Sequence, residues 1–572
     1  MRRRRQRRPL GRSALRRLNP ARTPGYTAGA RGVPSPPAEG PLTDDPRIAE
    51  AQRAYAADAL PESAALLRQA LDTSPTPAPL WALLARVELQ RCALDAHDAA
   101  LDAALRLQPD NLGWRLRRAL RCPPIMGTAA QIQTLRGEAI ERLGALESEL
   151  KARPSTIPDP GRQLANLSYY FVYHGEDDRP LHEAMHRVLR RCCPSLAVRA
   201  PHTQRPRPPG PPRVGVCSPH LKEHTIGNLF GGLLPAMDPQ AMRRVGLFFE
   251  DAVDTRTLQW ATQLDEVVLL PRDLPRAMQA IAGAQLDVLL QLDVGMDPWT
   301  ALLGQARLAR VQATTWGHPV TTGAPEMDLF FSMQGADPPG AQAHFSEGLV
   351  SLPQPNLHFA RAQVPARCDR AALGLPPTGR LYGCPQNLFK LHPDFDAALF
   401  GVLDADPEAV IVLSTAGAAS WRQALFERLG AQRPELLGRF VCVGRQPKTH
   451  YLALLATLDV MLDPFPFGGG NTTLEALALG TPVVTWAPMH LRGRLALCFL
   501  RHIDWNQGIA TDLDDYVRRA VRLARNADPR ARESLQRQAS ILFEQPSFVE
   551  TFQQALVMAA AAPAAGPRPA AH

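Results

Sequence analysis

The chain has 572 residues, enough for three or four domains, and its hydrophobic content of 45% is that of a globular protein. The formal charge of +9 is concentrated at one end: residues 1–31 hold eleven Arg and no acid, so residues 32–572 sum to 9 − 11 = −2. A nearly neutral body excludes a general nucleic-acid-binding surface, and the absence of any run of eighteen apolar residues excludes a transmembrane helix.

Residues 1–45, rich in Arg, Pro and Gly, read as a disordered tail without the apolar stretch of a secretory signal. From 46 to 198 the hydrophobic period is helical, with a repeat of 34: Ala70-Leu71 recurs as Ala104-Leu105, and Pro75 as Pro109. That is the tetratricopeptide period, but two units are fewer than a free-standing stack needs, so the array is expected to lean on the next domain. A plain helical bundle is the simpler alternative. Residues 199–212 read as a linker, because the six prolines within 201–212 favour extended polyproline conformation.

Short apolar runs then alternate with helical stretches at 213–217, 245–248, 267–270, 287–292, 311–315 and 329–332. A second series follows at 381–384, 410–413, 440–443, 460–462 and 483–485. Strands alternating with helices imply parallel sheets. The prediction is therefore α/β, with two Rossmann-like domains at 213–375 and 376–560 and a cleft between them. Ligands in such folds bind at the carboxyl ends of strands. Residues 561–572 form an Ala/Pro tail.

The most informative stretch is 458–486: strand, Pro464 and Pro466, then Gly468-Gly469-Gly470, then a helix from Asn471 to about Leu479, then a strand. Glycines allow close backbone approach, and free N–H groups at a helix N-terminus attract phosphate. Asn471 and Thr472 read as cap residues beside Thr473. Glu475, one turn further on the same face, would repel phosphate but suits ribose hydroxyls. The loop matches neither Gly-x-Gly-x-x-Gly nor a P-loop, and a tight structural turn is its plainer reading.

Other candidates follow strand ends. His224, with His220 behind it, follows 213–217 and is suited to act as a base or to hold an acceptor. His318, Thr321 and Thr322 lie in the loop after 311–315, which also reads as a structural turn. Asn387 and Lys390 follow 381–384, where a lysine reaches a diphosphate as a point charge. Lys448 and His450 follow 440–443 and are candidates for nucleobase contact; Arg492 and Arg494 follow 483–485 and are phosphate or acceptor candidates. Asp404-Ala405-Asp406 and Asp512-Leu513-Asp514 match a metal motif in letters but read as turn and cap residues, so no metal is expected. Nine scattered Cys without a Cys-x-x-Cys point to a reducing compartment, taken as the cytoplasm.

With these residues in hand, the chain over about 165–560 resembles the protein O-linked N-acetylglucosamine transferase and SPINDLY family, especially its bacterial tetratricopeptide members. The resemblance rests on residues 169–179, 316–323, 384–393 and 462–482. It implies a GT-B glycosyltransferase fold and metal-independent, inverting transfer from a nucleotide sugar to a protein side chain, with no cofactor. Lys390 matches the lysine that neutralises the diphosphate, Asn471 and Thr472 the loop donors, Glu475 the ribose-binding acid and His224 an active-site histidine. The sequence departs from the animal enzymes at Trp316-Gly317-His318-Pro319, at Gly470-Asn471-Thr472 and in its short repeat array. The expected partners are a nucleoside diphosphate sugar, most simply UDP-N-acetylglucosamine, and a peptide acceptor entering from the helical side. O-fucosylation from GDP-fucose, N-glucosylation from UDP-glucose and a non-catalytic adaptor are the competing readings.

Overall fold

The computed structural model describes residues 45–164, 167–363, 369–415 and 417–562. The two predicted tails lie outside these residues except at their inner ends. Asp45 caps the first helix, its Oδ1 accepting the Arg47 N–H at 2.9 Å, and Ala561 closes the last helix.

The helical part begins with α1 (Pro46–Ala56), α2 (Leu60–Leu71), α3 (Pro77–Gln90) and α4 (Leu94–Leu107). Helices α2 and α4 start at Leu60 and Leu94, 34 residues apart, so the sequence period is the period of a helical hairpin. Ala70 and Ala104 are both fully buried at matching places, where a small side chain lets neighbouring helices close together. Then come α5 (Leu112–Ala119), α6 (Ala129–Ala152) and α7 (Arg179–Cys192). This part leans on both following domains. Trp421 Nε1 donates to the Gln90 carbonyl at 2.8 Å. His182 Nδ1 lies 2.8 Å from the Thr321 carbonyl oxygen.

The predicted linker is not wholly extended. Pro201–Gln204 form a 3-10 turn, and His202 Nε2 sits 3.0 Å from the Leu286 carbonyl. Ala200 N–H donates to Arg307 at 2.8 Å, which ties the segment to the first sheet's domain.

The first sheet contains β1 (Arg213–Cys217), β2 (Arg243–Phe249), β3 (Glu266–Leu270), β4 (Val288–Gln291), β5 (Val311–Thr315), β6 (Leu329–Met333) and β7 (Gly348–Leu352). The second contains β8 (Arg380–Cys384), β9 (Ala409–Ser414), β10 (Phe440–Val443), β11 (Val460–Leu462), β12 (Val483–Trp486) and β13 (Ile509–Ala510). The strand orders are β3-β2-β1-β4-β5-β6-β7 and β10-β9-β8-β11-β12-β13, and every pairing is parallel. The chain direction across each sheet reverses between β1 and β4 and between β8 and β11. Such switch points open a crevice at the carboxyl ends of the strands, and ligands bind there. Two strands, β7 and β13, were not expected. Both are edge strands: β13 is only two residues long, and in β7 Gly348 and Ser351 interrupt the apolar residues.

Candidate active site

The second sheet's switch point is built from the segments after β8 and β11. After β11, Asp463 leads through Pro464 and Pro466 to the glycine loop and to α10 (Asn471–Ala478), with α8 (Thr225–Phe230) and α9 (Lys448–Thr457) as the neighbouring short helices. The cap of α10 is Gly470 rather than Asn471 or Thr472. Asn471 is the first helical residue, and its Nδ2 donates to Glu475 Oε1 at 2.6 Å, the one-turn spacing read from the sequence. Thr473 is fully buried and its hydroxyl donates to the Gly469 carbonyl at 2.9 Å, so it holds the loop rather than facing the cleft. Thr472 Oγ1 accepts from the Tyr451 hydroxyl at 3.5 Å. The first N–H groups of α10 have no intrahelical acceptor, as at any helix start.

Lys390 comes from the segment after β8. Its ammonium donates to Gln386 Oε1 at 3.0 Å and to the Gly468 carbonyl at 3.2 Å, and lies 4.8 Å from the centre of the Phe467 ring. Part of the side chain is exposed, yet protein packs closely enough around it that burial pulls its pKa down to about 8, with the Asp463 carboxylate opposing the fall. Glu475 is buried; its Oε1 also accepts from Lys448, whose ammonium lies 5.3 Å from the Tyr451 ring centre. Gln386 Nε2, Asn471 Oδ1 and Glu475 Oε2 are buried with no hydrogen-bond partner. Buried polar atoms are normally satisfied, so three unmet groups grouped around a lysine and a helix start mark a site built for a polar ligand. Asn387 is exposed at its edge, and Tyr451, not the exposed His450, is the aromatic residue of α9 that reaches the loop.

The first sheet's switch point carries His224. It caps α8, with Nδ1 accepting the Ile226 N–H at 3.3 Å, and its ring stacks on His220 with centroids 4.3 Å apart. Burial lowers its pKa to about 4, helped by Lys222, so the imidazole is neutral at pH 7. Behind the pair lies Asp293, fully buried, accepting from Ser218 Oγ at 2.9 Å; burial raises its pKa to about 8.

The structural reading holds for the other cleft candidates. Thr321 Oγ1 donates to Glu347 Oε2 at 2.7 Å, and the Thr322 N–H donates to Glu347 Oε1 at 2.8 Å, so both threonines turn inward onto one buried carboxylate. His318 is buried, its ring parallel to Tyr169 at 6.4 Å, and burial lowers its pKa to about 3. Arg494 donates to the Ala336 and Pro488 carbonyls at 2.7 and 3.1 Å. Arg492 is buried and paired with Asp178 at 2.8 Å. Asp406 accepts from Arg380 and Tyr382, and Asp512 caps α11 (Leu513–Arg525), as turn and cap residues do. The two halves touch at the glycine loop, where a methyl group on Gly470 would lie 3.6 Å from the Trp316 ring.

Two parallel Rossmann-like domains with facing switch points, preceded by helices, define a GT-B architecture. A solved structure of a Thermobaculum terrenum O-GlcNAc transferase variant superposes with a TM-score of 0.64 at 22% identity, over 91% of this chain and 98% of that one. In sequence, the chain is 31% identical over 255 residues to a UDP-glucose:protein N-beta-glucosyltransferase of Actinobacillus pleuropneumoniae, covering 41% of this chain and 38% of that protein. It is 26% identical over 374 residues to a "Probable UDP-N-acetylglucosamine--peptide N-acetylglucosaminyltransferase SPINDLY" of Solanum lycopersicum, covering 63% and 39%. The chain therefore spans less than two fifths of the length of these curated relatives. No protein-family model matches it. The resemblance read from the sequence holds: the chain is similar in sequence to a protein N-glucosyltransferase and to SPINDLY proteins, and it shares its fold with an O-GlcNAc transferase.

Proposed function

We propose that this chain is a protein glycosyltransferase that binds a UDP-sugar at the β8/β11 switch point and transfers the sugar, with inversion and without a metal, to a peptide side chain. The observation that carries this is the half-buried Lys390 ammonium beside a glycine loop and a helix start, with three buried polar atoms left unpartnered around it. An acceptor hydroxyl attacks the anomeric carbon in line as the diphosphate leaves. Charge grows on the leaving oxygens, and Lys390 with the N–H groups at 470–472 stabilises it in a dry cleft. Glu475 takes a ribose hydroxyl through its free oxygen, and Lys448 fixes that carboxylate. His224, neutral at pH 7, is the group on the opposite wall suited to receive the acceptor's proton.

A uridine nucleotide is the donor's carrier in this reading because the names of both sequence relatives specify UDP-sugars. N-acetylglucosamine transfer to Ser or Thr is the leading chemistry; asparagine glucosylation from UDP-glucose is the second, favoured by the name of the 31% identical relative. The acceptor enters from the helical side. The cytoplasm fits the free thiols of the eight described cysteines, and no helix among the described residues is long and apolar enough to cross a membrane. The test is thermal stabilisation by UDP, GDP, UDP-N-acetylglucosamine, UDP-glucose and GDP-fucose without metal. A ligand at 100 times its Kd adds about 2.7 kcal/mol. Stabilisation by the uridine set alone supports the reading; no response to any of the five overturns it in favour of a non-catalytic adaptor.

A further inference from the structure

Directly beneath the glycine loop lies a carboxylate that faces no ligand position. Asp463, at the end of β11, is fully buried. Its Oδ1 accepts the Gly469 N–H at 2.6 Å, and its Oδ2 accepts the Thr485 hydroxyl at 2.8 Å. The Gly469 N–H and the Gly468 carbonyl belong to one peptide unit. In a planar trans peptide these two groups point in opposite directions. The N–H points down to Asp463, so the carbonyl points up, and there it accepts from Lys390 at 3.2 Å. A side chain at either glycine would displace a group of the site: a Cβ on Gly468 would lie 2.8 Å from Asp463 Oδ2, and one on Gly469 would lie 2.5 Å from Gln386 Nε2.

We propose that Asp463 is the positioning residue of the donor site: it orients the Gly468–Gly469 peptide so that the carbonyl holds the Lys390 ammonium, and its charge keeps that lysine protonated. The inference rests on the reading of Lys390 and the loop as the diphosphate site. Burial draws Lys390 down to about 8 while Asp463 holds it up, and burial raises Asp463 itself to about 6. The other titratable groups facing the pair are the Cys384 thiol at the end of β8 and the Tyr516 phenol on α11, which donates to the Asp463 carbonyl at 3.0 Å. Burial pushes both upward, so they stay neutral across the range that matters. An ammonium that has lost its countercharge in a buried setting gives up its proton at lower pH.

The experiment is calorimetric binding of UDP between pH 6.5 and 9.5, where the terminal phosphate, with a pKa of about 6, is ionised. Wild-type affinity should fall as pH rises through about 8, when Lys390 deprotonates. Asp463→Asn can still accept the Gly469 N–H but has no charge. Its fall should begin about one pH unit lower, a roughly fivefold loss of the protonated fraction at pH 8. Absolute affinity at pH 6.5 is not the readout, because removing a negative charge near a diphosphate also strengthens binding. Thr485→Val takes only the hydroxyl from Oδ2, leaves Asp463 partly neutral and should shift the same fall in the same direction by less; it serves if the Asn variant does not fold. A purely structural role would lower affinity equally at every pH. Unshifted profiles in both variants, with Lys390→Met still abolishing binding, overturn the inference and leave the site reading intact. No UDP binding by the wild-type chain at any pH removes both.

Discussion

Replacing Lys390 with Met keeps the length of the side chain and removes its charge, and the structure assigns opposite signs to the effects on rate and on stability. In the proposed reaction the ammonium is a charged donor to the leaving diphosphate. Losing one such donor costs about 2–4 kcal/mol, or roughly 30- to 1000-fold in kcat. In the empty protein the same ammonium is held against its preference, at about 8 compared with 10.5 in free solution. Each pKa unit is worth about 1.4 kcal/mol, and after discounting for the exposed part of the side chain the cost is about 1–2 kcal/mol. The native pKa lies below the unfolded one, so between these values the unfolded chain binds more protons. Wild-type stability therefore rises with pH through that window. Lys390→Met should be more stable than wild type at pH 7 and should lack this rise. The assays are UDP release from the donor sugar selected by thermal shift, and urea unfolding at pH 7 and pH 10. A folded variant with turnover within threefold of wild type refutes the assignment of Lys390. A variant less stable than wild type at pH 7 refutes the electrostatic argument.

Glu475→Ala should weaken donor binding by about ten- to a hundredfold, or 1.4–2.8 kcal/mol, measured by calorimetry with UDP, since it removes the free carboxylate oxygen and strands Lys448. Because burial holds His224 at about 4, kcat/KM should be insensitive to its titration from pH 5.5 to 7 and should fall only as pH drops through about 4, where the imidazole gains a proton; His224→Ala should lose that acid limb. Arg492→Ala leaves Asp178 with only Arg136 at 3.0 Å and should cost about 3–5 kcal/mol in denaturant unfolding, the usual penalty for breaking a buried pair. Thr321→Val, despite its place in a cleft loop, should leave UDP affinity unchanged, because its hydroxyl serves Glu347.

The sheets were legible because buried parallel strands leave continuous apolar runs: the runs at 213–217, 311–315 and 440–443 coincide with β1, β5 and β10. The glycine loop and the Asn471–Glu475 spacing were legible because both depend on neighbours four residues apart or fewer. What failed depended on distant partners. Thr321 and Thr322 looked available because Glu347, which occupies them, sits 25 or 26 residues further on, immediately before the unseen edge strand β7. Arg492 looked like a phosphate ligand because Asp178 is 314 residues away in sequence. Asp463 reads as an ordinary turn acid before Pro464. Only the return of the chain, which brings the Gly469 N–H within 2.6 Å of its carboxylate, gives it a different role. A strand-end acid six residues before the middle glycine of the loop was the available signal.

The short helical array also has a second role in this arrangement. The helical part packs against the donor half at Gln90 and again around Tyr173. Tyr173 packs 4.6 Å from both Phe389 and Phe467, and Phe467 is the ring under the Lys390 ammonium. Gly175, at φ 81, lies so close to Pro466 that a Cβ there would sit 2.6 Å from the proline ring. The rear wall of the proposed diphosphate site is thus supplied in part by Tyr173 and Gly175 of the helical part and not by the Rossmann domain alone. Shape errors at that wall pass to Phe467 and from there to Lys390. A C-terminal half expressed without the helices would keep Lys390, the glycine loop and Glu475 and should still bind UDP more weakly by calorimetry, because it loses the packing behind Phe467.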